Sequence, residues 1–419
     1  MDLPQRNIMC IDLKSFFASC ECIDKGLDPF TTPLVVANKN QGNGAITLAV
    51  TPYLKKQGVK SRGRLYEIPN NIKYIIANPR MKLYSKMSKE VIKVYLDYVA
   101  EEDLHIYSID ECFLDVTDYL KLYKKNDYEL AKDILKTIKN KLGLTATCGI
   151  GPNMLIAKLA MDIEAKKNTS FIAKWNYDDI KTKLWPLTPL SEMWGIGKNM
   201  ERNLNKLKIY SVGDLANYNK NILKDKFGVM GEELWNHANG IDLSRIKDWK
   251  KIQKEYSFSH SQVLFKDYYA KNIFVIIREM IEVLTTRLRK SNKECLVVGL
   301  GIGYSKNYSG GFYHNLKLDN PTDDEHIIFE TCRLLFDRFY IDDAPIRKVS
   351  ISLGRLREKK GVQLDIFNPI EDVIVNNNLN KTIDQLKDKF GKNSILKGTS
   401  LLSDSTIKER NKKIGGHHE

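Results

Sequence analysis

Three carboxylates beside apolar segments are the residues of this sequence best suited to chemistry. Asp12 ends the apolar run 8–11, and Asp110 and Glu111 follow one another in the middle of the segment 105–116. A charge at the end of an apolar strand is costly unless it is paired or bound to a metal. Carboxylate oxygens suit Mg²⁺ or Mn²⁺, and two such ions can clamp the attacking and leaving oxygens of a phosphoryl transfer. The residues alone leave open that each carboxylate simply marks the surface end of a strand.

The elements that would position these carboxylates alternate between strands and helices. Short apolar or β-branched runs predict strands, and apolar residues at three- and four-residue spacing predict amphipathic helices. The predicted strands are residues 8–11, 34–37, 45–50, 74–77, 105–116 and 145–150, and the predicted helices are 81–100, 128–142 and one from Asn153. Neighbouring side chains of a strand point to opposite faces, so Asp110 and Glu111 need a turn or bulge to converge on one ion. The order of elements predicts an α+β sheet layer with helices on one face.

The rest of the chain divides into helical, α/β and polar segments. Residues 174–240 predict short helices separated by Pro and Gly, and the polar stretch 244–251 follows as a linker. A second α/β unit then extends to about residue 356. Its predicted elements are helices over 272–290 and 325–339 and strands over 295–302 and 348–353. The remaining residues are rich in Asn, Lys and Asp, and they predict one helix over 382–390.

Charge and composition favour a nucleic-acid partner. The 419 residues include 66 Lys and Arg against 52 Asp and Glu, a net charge of +14, and residues 245–318 alone hold 14 basic and 6 acidic residues. A local basic excess suits a polyanion, although the total charge is equally compatible with an ordinary basic protein. The sequence has no apolar run of eighteen residues, no secretory leader and only scattered cysteines. We therefore expect no membrane partner and a cytoplasmic, nucleoid-associated chain.

Three segments resemble motifs of the Y-family, or lesion-bypass, DNA polymerases. Residues 11–21 (IDLKSFFASCE) and 107–117 (YSIDECFLDVT) resemble its two metal-binding motifs, and residues 149–160 (GIGPNMLIAKLA) resemble its third palm motif. The resemblance extends over about residues 7–367. Within the family the chain looks closer to the polymerase V catalytic-subunit branch of Gram-positive bacteria than to polymerase IV.

The resemblance implies a multidomain α+β fold, the right-hand polymerase. It has a ferredoxin-like palm, small fingers, a helical thumb with a helix–hairpin–helix, and an α/β little finger that binds DNA. The implied limits are a palm over 1–23 and 73–166, fingers over 24–72, a thumb over 167–240, a linker over 241–253, a little finger over 254–356 and a C-terminal tail over 357–419. The implied activity is template-directed, low-fidelity DNA synthesis past lesions, from deoxynucleoside triphosphates on primer–template DNA.

The same resemblance implies roles for individual residues around the predicted metal site. Asp12, Asp110 and Glu111 would hold two Mg²⁺ ions, with Mn²⁺ as an alternative, and the backbone carbonyl of Leu13 would join them. The residues assigned to the incoming nucleotide are Phe16, Phe17, Thr51, Lys55 and Lys158. Phe17 stands at the steric-gate position, where a bulky ring leaves no room for a 2′-hydroxyl group. Without the resemblance, core packing is the favoured interpretation of the two phenylalanines, and a solvated helix face is the favoured interpretation of Lys158.

Two further segments are assigned to DNA and to a protein partner. Gly195 and Gly197 resemble the hairpin of a helix–hairpin–helix, whose backbone N–H groups approach phosphates without reading sequence. The tail carries a peptide that resembles the bacterial sliding-clamp-binding motif, made of Gln363, Leu364, Asp365, Ile366 and Phe367. Such an extended peptide can dock into an apolar pocket and raise the effective concentration of the protein on DNA. Taken alone, the glycine pair also fits a plain helical turn, and a pentapeptide can match by accident.

Three alternatives remain open on the sequence. A catalytically inactive DNA-binding accessory protein would keep the basic segments without needing the three carboxylates together. A nucleotidyl cyclase with a similar two-metal palm would have no use for the glycine hairpin or the clamp peptide. A polymerase that is active only with an accessory subunit or a recombinase filament would fit every motif.

Overall fold

A computed structural model describes residues 3–248, 257–359, 370–414 and 417–418. The chain divides into two compact units, the first made of residues 1–253 and 417–419 and the second of residues 254–416. Over the described ranges, none of the helices combines the length and the apolar character that crossing a membrane requires.

The first unit is built on a five-stranded sheet. Its strands run in the order β5-β6-β1-β7-β8, with β1 antiparallel to both neighbours and β7 parallel to β8. A second sheet, in the order β3-β2-β4, lies in the insertion between residues 24 and 72 and the strand that follows it. The strands are β1 Ile8–Leu13, β2 Leu34–Val36, β3 Ala49–Val50, β4 Ile75–Ala77, β5 Leu104–Ile106, β6 Glu111–Asp115, β7 Ala146–Gly151 and β8 Ile172–Lys174. The strand predicted over 45–50 is therefore regular only in its last two residues.

The helices of the first unit lie on both faces of the main sheet or pack in clusters of their own. They are α1 Phe16–Asp24, α2 Pro52–Lys56, α3 Met81–Leu96, α4 Leu120–Tyr123, α5 Asp127–Leu142, α6 Met154–Leu159, α7 Lys198–Asn205, α8 Val212–Ala216, α9 Lys220–Phe227 and α10 Val229–Ala238. Met9 and Ile11 of β1 pack in the core that also contains residues of α3 and α5. Ile8 and Cys10, on the opposite face, pack with residues of α6. The prediction of helices on one face was wrong, because alternate residues of β1 are apolar on both sides.

Local signals explain where the main helices begin and end. Asn126 and Glu129 form a reciprocal capping box at the start of α5, and Gly143, with φ of +70°, ends it. The side chain of Asn153 caps α6 by accepting a hydrogen bond from the N–H of Ile156. After Leu159 the helix widens into a π-helical segment, Ala160–Ala165.

The second unit is a four-stranded antiparallel sheet covered by two long helices. The strand order is β11-β10-β12-β9. The strands are β9 Ser257–Tyr268, β10 Lys293–Tyr304, β11 Gly311–Thr322, β12 Ile346–Gly354 and β13 Arg357–Glu358, and the helices are α11 Ile273–Lys290, α12 Glu325–Phe339, α13 Ile370–Phe390 and α14 Ile407–Arg410. The last two strands in chain order are short: β14 Lys413–Ile414 belongs to this unit, and β15 His417–His418 belongs to the first. Helix α12 matches its predicted limits, whereas β9 and β11 were missed.

The C-terminal segment, residues 370–414, packs against α11 of the second unit. Glu279 of α11 is buried, and its carboxylate accepts hydrogen bonds from the N–H and hydroxyl groups of Thr406 and from the hydroxyl of Ser405. Arg289 binds both carboxylate oxygens of Asp384, at 2.7 and 3.1 Å. Helix α13 is twelve residues longer at its N-terminal end than the helix predicted over 382–390. Polar contacts thus hold this segment in place.

Candidate active site

The three predicted carboxylates lie together at one end of the main sheet. Asp12 and Glu111 are direct partners in the register of β1 and β6. Asp110 immediately precedes β6, and its carbonyl accepts a hydrogen bond of 2.9 Å from the N–H of Leu13. A tight turn closes this end of the hairpin, because the N–H groups of Tyr107 and Ser108 both donate to the carbonyl of Glu111. The turn is the local irregularity that two consecutive carboxylates require in order to face one site.

Two lysines form ion pairs with two of these carboxylates, Glu111 and Asp12. The Lys158 ammonium lies 2.7 Å from Glu111 and 3.1 Å from Asp162, and the side chains of Lys158 and Glu111 are only 7% and 8% exposed. The Lys166 ammonium lies 3.5 Å from Asp12 and 2.7 Å from Asp162. Asp162 therefore bridges the two lysines, and the site is a network of alternating charges.

A close approach of helix to sheet puts Lys158 at the site. A Cβ atom on Gly149 of β7 would lie 2.1 Å from the carbonyl oxygen of Ala157, and one on Gly151 would lie 2.6 Å from the N–H of the same residue. Only glycine at these two positions allows the backbone of α6 to rest directly on β7. Lys158 follows Ala157, so the two glycines fix its distance from Glu111.

The electrostatics of the site favour a bound cation. Burial raises the pKa of Asp12 to about 6, the charges of Asp110 and Glu111 add to this effect, and Lys166 opposes it. Burial alone would lower the pKa of Lys158, but acidic neighbours that include Asp162 outweigh burial and raise it. Carboxylates this close together repel one another unless positive charge lies between them.

The donor set fits Mg²⁺ or Mn²⁺ in its chemistry. Asp12, Asp110 and Glu111 supply hard carboxylate oxygens, and no nitrogen or thiolate donor is needed. Within the described ranges, no three His, Cys, Asp or Glu side chains are already arranged to hold one ion. In this arrangement Lys158 neutralises Glu111 and Lys166 neutralises Asp12. The two lysines thus supply the positive charge that a divalent cation would otherwise supply.

The two phenylalanines occupy different environments at the start of α1. Phe16 is buried in the core. Phe17 is half-buried, and its ring stacks on Tyr84 with centroids 4.4 Å apart and planes 14° apart. Ser15, which precedes them, has φ of +51°, and its buried hydroxyl has no hydrogen-bond partner in the part of the chain that the structure describes. One face of the Phe17 ring is thus covered by Tyr84.

The inserted segment brings one of its two predicted residues to the site. Lys55 of α2 is exposed; neighbouring atoms remove part of its water and lower its pKa, while the nearby charges of Asp12 and Asp110 raise it. Thr51 is buried, and its hydroxyl donates to the carbonyl of Thr32 at 2.8 Å. The hydroxyl of Thr51 therefore holds the insertion together and does not face the carboxylates.

The glycine hairpin follows a short helical turn, Leu190–Glu192, and precedes α7. Gly195 has φ of +92°, a conformation that favours glycine. Apart from each glycine and its two chain neighbours, none of the described residues has an atom within 4 Å of the place where a Cβ of Gly195 or Gly197 would stand. The open space lets a ligand reach the backbone. A cavity of about 550 Å³ beside the hairpin is also lined by Asp162, Ile163 and Lys167 of the segment that follows α6.

Asp162 and Lys166 are site residues that the sequence analysis missed. They follow Lys158 at intervals of four residues, the spacing that places side chains on one side of a helix. That periodic signal was available, but only contact with Asp12 and Glu111 gives it meaning. The predicted clamp peptide, residues 363–367, lies outside the described residues.

Three family models match the chain. The impB/mucB/samB family matches residues 11–162, its C-terminal domain matches residues 255–366, and the HHH motif of the same family matches residues 177–209.

Individual relatives match over nearly the whole length. UvrX of Bacillus subtilis, named for UV-damage repair, is 40% identical over 417 residues, which cover 99% of this chain and 98% of UvrX. DNA polymerase IV 2 of Bacillus subtilis is 32% identical over 423 residues and covers both chains completely. Among solved structures, a Y-family DNA polymerase chimera of Dbh and Dpo4 matches with a TM-score of 0.66, at 20% identity, over 84% of this chain and 99% of its own.

Proposed function

The chain belongs to the impB/mucB/samB family, the Y-family of DNA polymerases, and on this premise we propose that it performs low-fidelity translesion synthesis by two-metal nucleotidyl transfer. It is a DNA-directed DNA polymerase with the right-hand fold of that family. The observation that supports the mechanism is the convergence of Asp12, Asp110 and Glu111 at the end of β1 and β6.

We assign the metal-binding role to these carboxylates together with the carbonyl of Leu13. Bound Mg²⁺, or Mn²⁺, would activate the primer 3′-hydroxyl and stabilise the departing pyrophosphate. The chain's own contribution is to fix the carboxylates through the turn that closes the hairpin. Lys158 and Lys166 supply positive charge beside them, where a triphosphate would arrive.

Selection of the nucleotide rests on Phe16, Phe17 and Lys55 in this proposal. Phe17, stacked on Tyr84, excludes a 2′-hydroxyl by its bulk, and Phe16 fixes the start of α1 from the core. Lys55 faces the carboxylates from α2 and would bind the triphosphate. A contact of Thr51 with the nucleotide would use its backbone, since its hydroxyl is occupied.

The remaining roles follow the order of the domains. We propose the palm, fingers, thumb, little finger and tail at the limits given above, with Gly195 and Gly197 binding the DNA backbone. Residues 363–367 would bind a bacterial sliding clamp. Participation in the SOS response, association with the nucleoid, and a requirement for an accessory subunit or a recombinase filament belong to the same proposal.

Primer extension by the full chain with Mg²⁺, on undamaged and abasic templates, tests this proposal. Asp110→Ala should abolish extension and leave DNA affinity within about two-fold, because it removes a metal ligand and no DNA contact. Asp118→Ala is the matched control, since Asp118 lies near the same hairpin with its side chain 72% exposed. Substantial synthesis by Asp110→Ala would refute the metal assignment, and tight DNA binding without synthesis by the wild type would point to a missing partner.

The clamp contact is tested in the same assay. Adding a bacterial sliding clamp should increase extension by the wild-type chain, and replacing Leu364 and Phe367 by alanine should remove the increase without changing clamp-free synthesis. Equal stimulation of both proteins would exclude residues 363–367 as the clamp-binding peptide.

A further inference from the structure

A direct contact joins the residue before the glycine hairpin to the carboxylate turn. The indole N–H of Trp194 donates to the hydroxyl of Tyr107 at 3.4 Å, and the two rings meet edge to face with centroids 6.2 Å apart. Trp194 stacks on His237 with planes 13° apart. The indole is thus fixed by α10 and presents its polar edge to Tyr107.

Tyr107 is the first residue of the turn that presents the carboxylates. Its N–H donates to the carbonyl of Glu111 at 3.0 Å. Its ring packs edge to face against Phe113 of β6, and the ammonium of Lys158 lies 5.9 Å from the ring centroid. A displacement of this tyrosine would therefore move both the turn and the lysine that binds Glu111.

The contact lies at the edge of the hydrophobic core. Tyr107 is 45% exposed, and Trp194 packs against the core from outside. Trp194 is half-buried and lines the cavity beside Gly195 and Gly197. A hydrogen bond of this length between such residues adds little to folding, yet it joins the hairpin to the catalytic turn.

We infer that Tyr107 and Trp194 are positioning residues. Through their contact, binding of DNA to the glycine hairpin fixes the turn that carries Asp110 and Glu111. The inference rests on the proposed function, in which Gly195 and Gly197 bind the DNA backbone. When DNA fixes the hairpin, Trp194 fixes Tyr107, and the turn and Lys158 are held in the geometry needed for the chemical step.

Single-turnover extension by the full chain tests this inference with two conservative variants. Tyr107→Phe and Trp194→Phe each remove one partner of the same hydrogen bond; the first keeps the tyrosine ring, and the second keeps an aromatic ring that is smaller than the indole. Each should lower the maximal extension rate about 3- to 10-fold, with affinities for DNA and nucleotide within two-fold of the wild type. The double variant should be no slower than either single variant, because both lose the same bond.

Trp235→Phe is the matched control. Its indole N–H donates to the carbonyl of Tyr218 at 3.0 Å in the same helical region, so it tests the loss of an indole donor as such. Its extension rate should equal that of the wild type. Additive losses in the double variant, a change confined to affinity, or an equal loss in Trp235→Phe would overturn the inference.

Hydrogen exchange gives a readout that does not need catalysis. Binding of primer–template DNA should slow exchange in the peptide that covers residues 107–113 of the wild type, and this protection should be lost in Trp194→Phe. The same protection in both proteins would overturn the coupling. Absence of synthesis by the wild type, with the protection present, would refute synthesis by the chain alone and leave the coupling supported.

Discussion

The ion pair between Lys158 and Glu111 gives the sharpest prediction about the site. Both side chains are less than a tenth exposed, and their charged atoms are 2.7 Å apart. Removing one partner of a buried ion pair typically costs about 3–5 kcal/mol, because the other charge stays desolvated and unpaired. Lys158→Met preserves the aliphatic volume but leaves Glu111, among the described residues, with the thiol of Cys10 as its remaining side-chain donor, at 3.2 Å. We expect this variant to lower the free energy of unfolding by about 3 kcal/mol.

The two partners should not be equivalent. In Glu111→Gln, Lys158 keeps an ion pair with Asp162 at 3.1 Å, so the loss should be smaller, about 1–2 kcal/mol. The double variant should recover much of the stability that Lys158→Met loses, since no uncompensated charge remains. Lys166→Met is the control, because its pairs with Asp12 and Asp162 are both more exposed and should together contribute less than about 1 kcal/mol.

Urea unfolding followed by circular dichroism, with a chelator present, measures these differences. When the chelator is replaced by Mn²⁺ or Mg²⁺, the ion should stabilise Lys158→Met more than the wild type, because it no longer competes with the lysine for Glu111. Wild-type stability in Lys158→Met, or a double variant as unstable as that single variant, would refute the reasoning from desolvation.

Three other predictions concern separate features. Phe17→Ala should admit ribonucleotides in primer extension, whereas Tyr84→Phe, which keeps the stacked ring, should not; unchanged sugar discrimination in Phe17→Ala would remove Phe17 as the gate. Glu279→Ala should cost about 2–3 kcal/mol and expose the C-terminal segment to limited proteolysis, because Thr406 loses its buried acceptor; resistance equal to that of the wild type would contradict this. Burial lowers the pKa of His237 below 6.5, so the unfolded chain binds the proton more readily and stability is lost as the pH falls through 6.5. Below pH 6.5 the Tm of His237→Gln should therefore depend less on pH than the Tm of the wild type. Equal pH dependence of the two Tm values would contradict this role of His237.

The sequence was sufficient for the family, the fold class and the enzyme class. The motifs at residues 11–21 and 107–117 carry their chemistry in consecutive residues, so their meaning does not depend on distant contacts. The prediction of a Y-family DNA polymerase with a right-hand fold is confirmed by the relatives and the structural match. The roles of individual residues stay predictions.

The second unit shows where pattern reading fails. Strand β9 alternates exposed Ser257, Ser259 and Ser261 with more buried residues, and serine on an open face removes the apolar signal of a strand. Strand β11 is exposed at most of its positions, so its pairing with β10 contributes much of what holds it in the sheet. The helix over 382–390 was predicted too short, and the contact of the C-terminal segment with Glu279 was missed, since Glu279 and Thr406 meet only after the chain has folded back.

What the sequence determined by itself is local: the carboxylates, the phenylalanine pair and the glycine hairpin are each defined by neighbouring residues. The tertiary structure decided which of these groups meet. The pairs of Lys158 with Glu111 and Lys166 with Asp12 arise because Gly149 and Gly151 let α6 rest on β7. The contact of Trp194 with Tyr107 joins residues 87 positions apart. Such distances depend on the packing of elements that are remote in sequence, and short-range spacing carries no information about them.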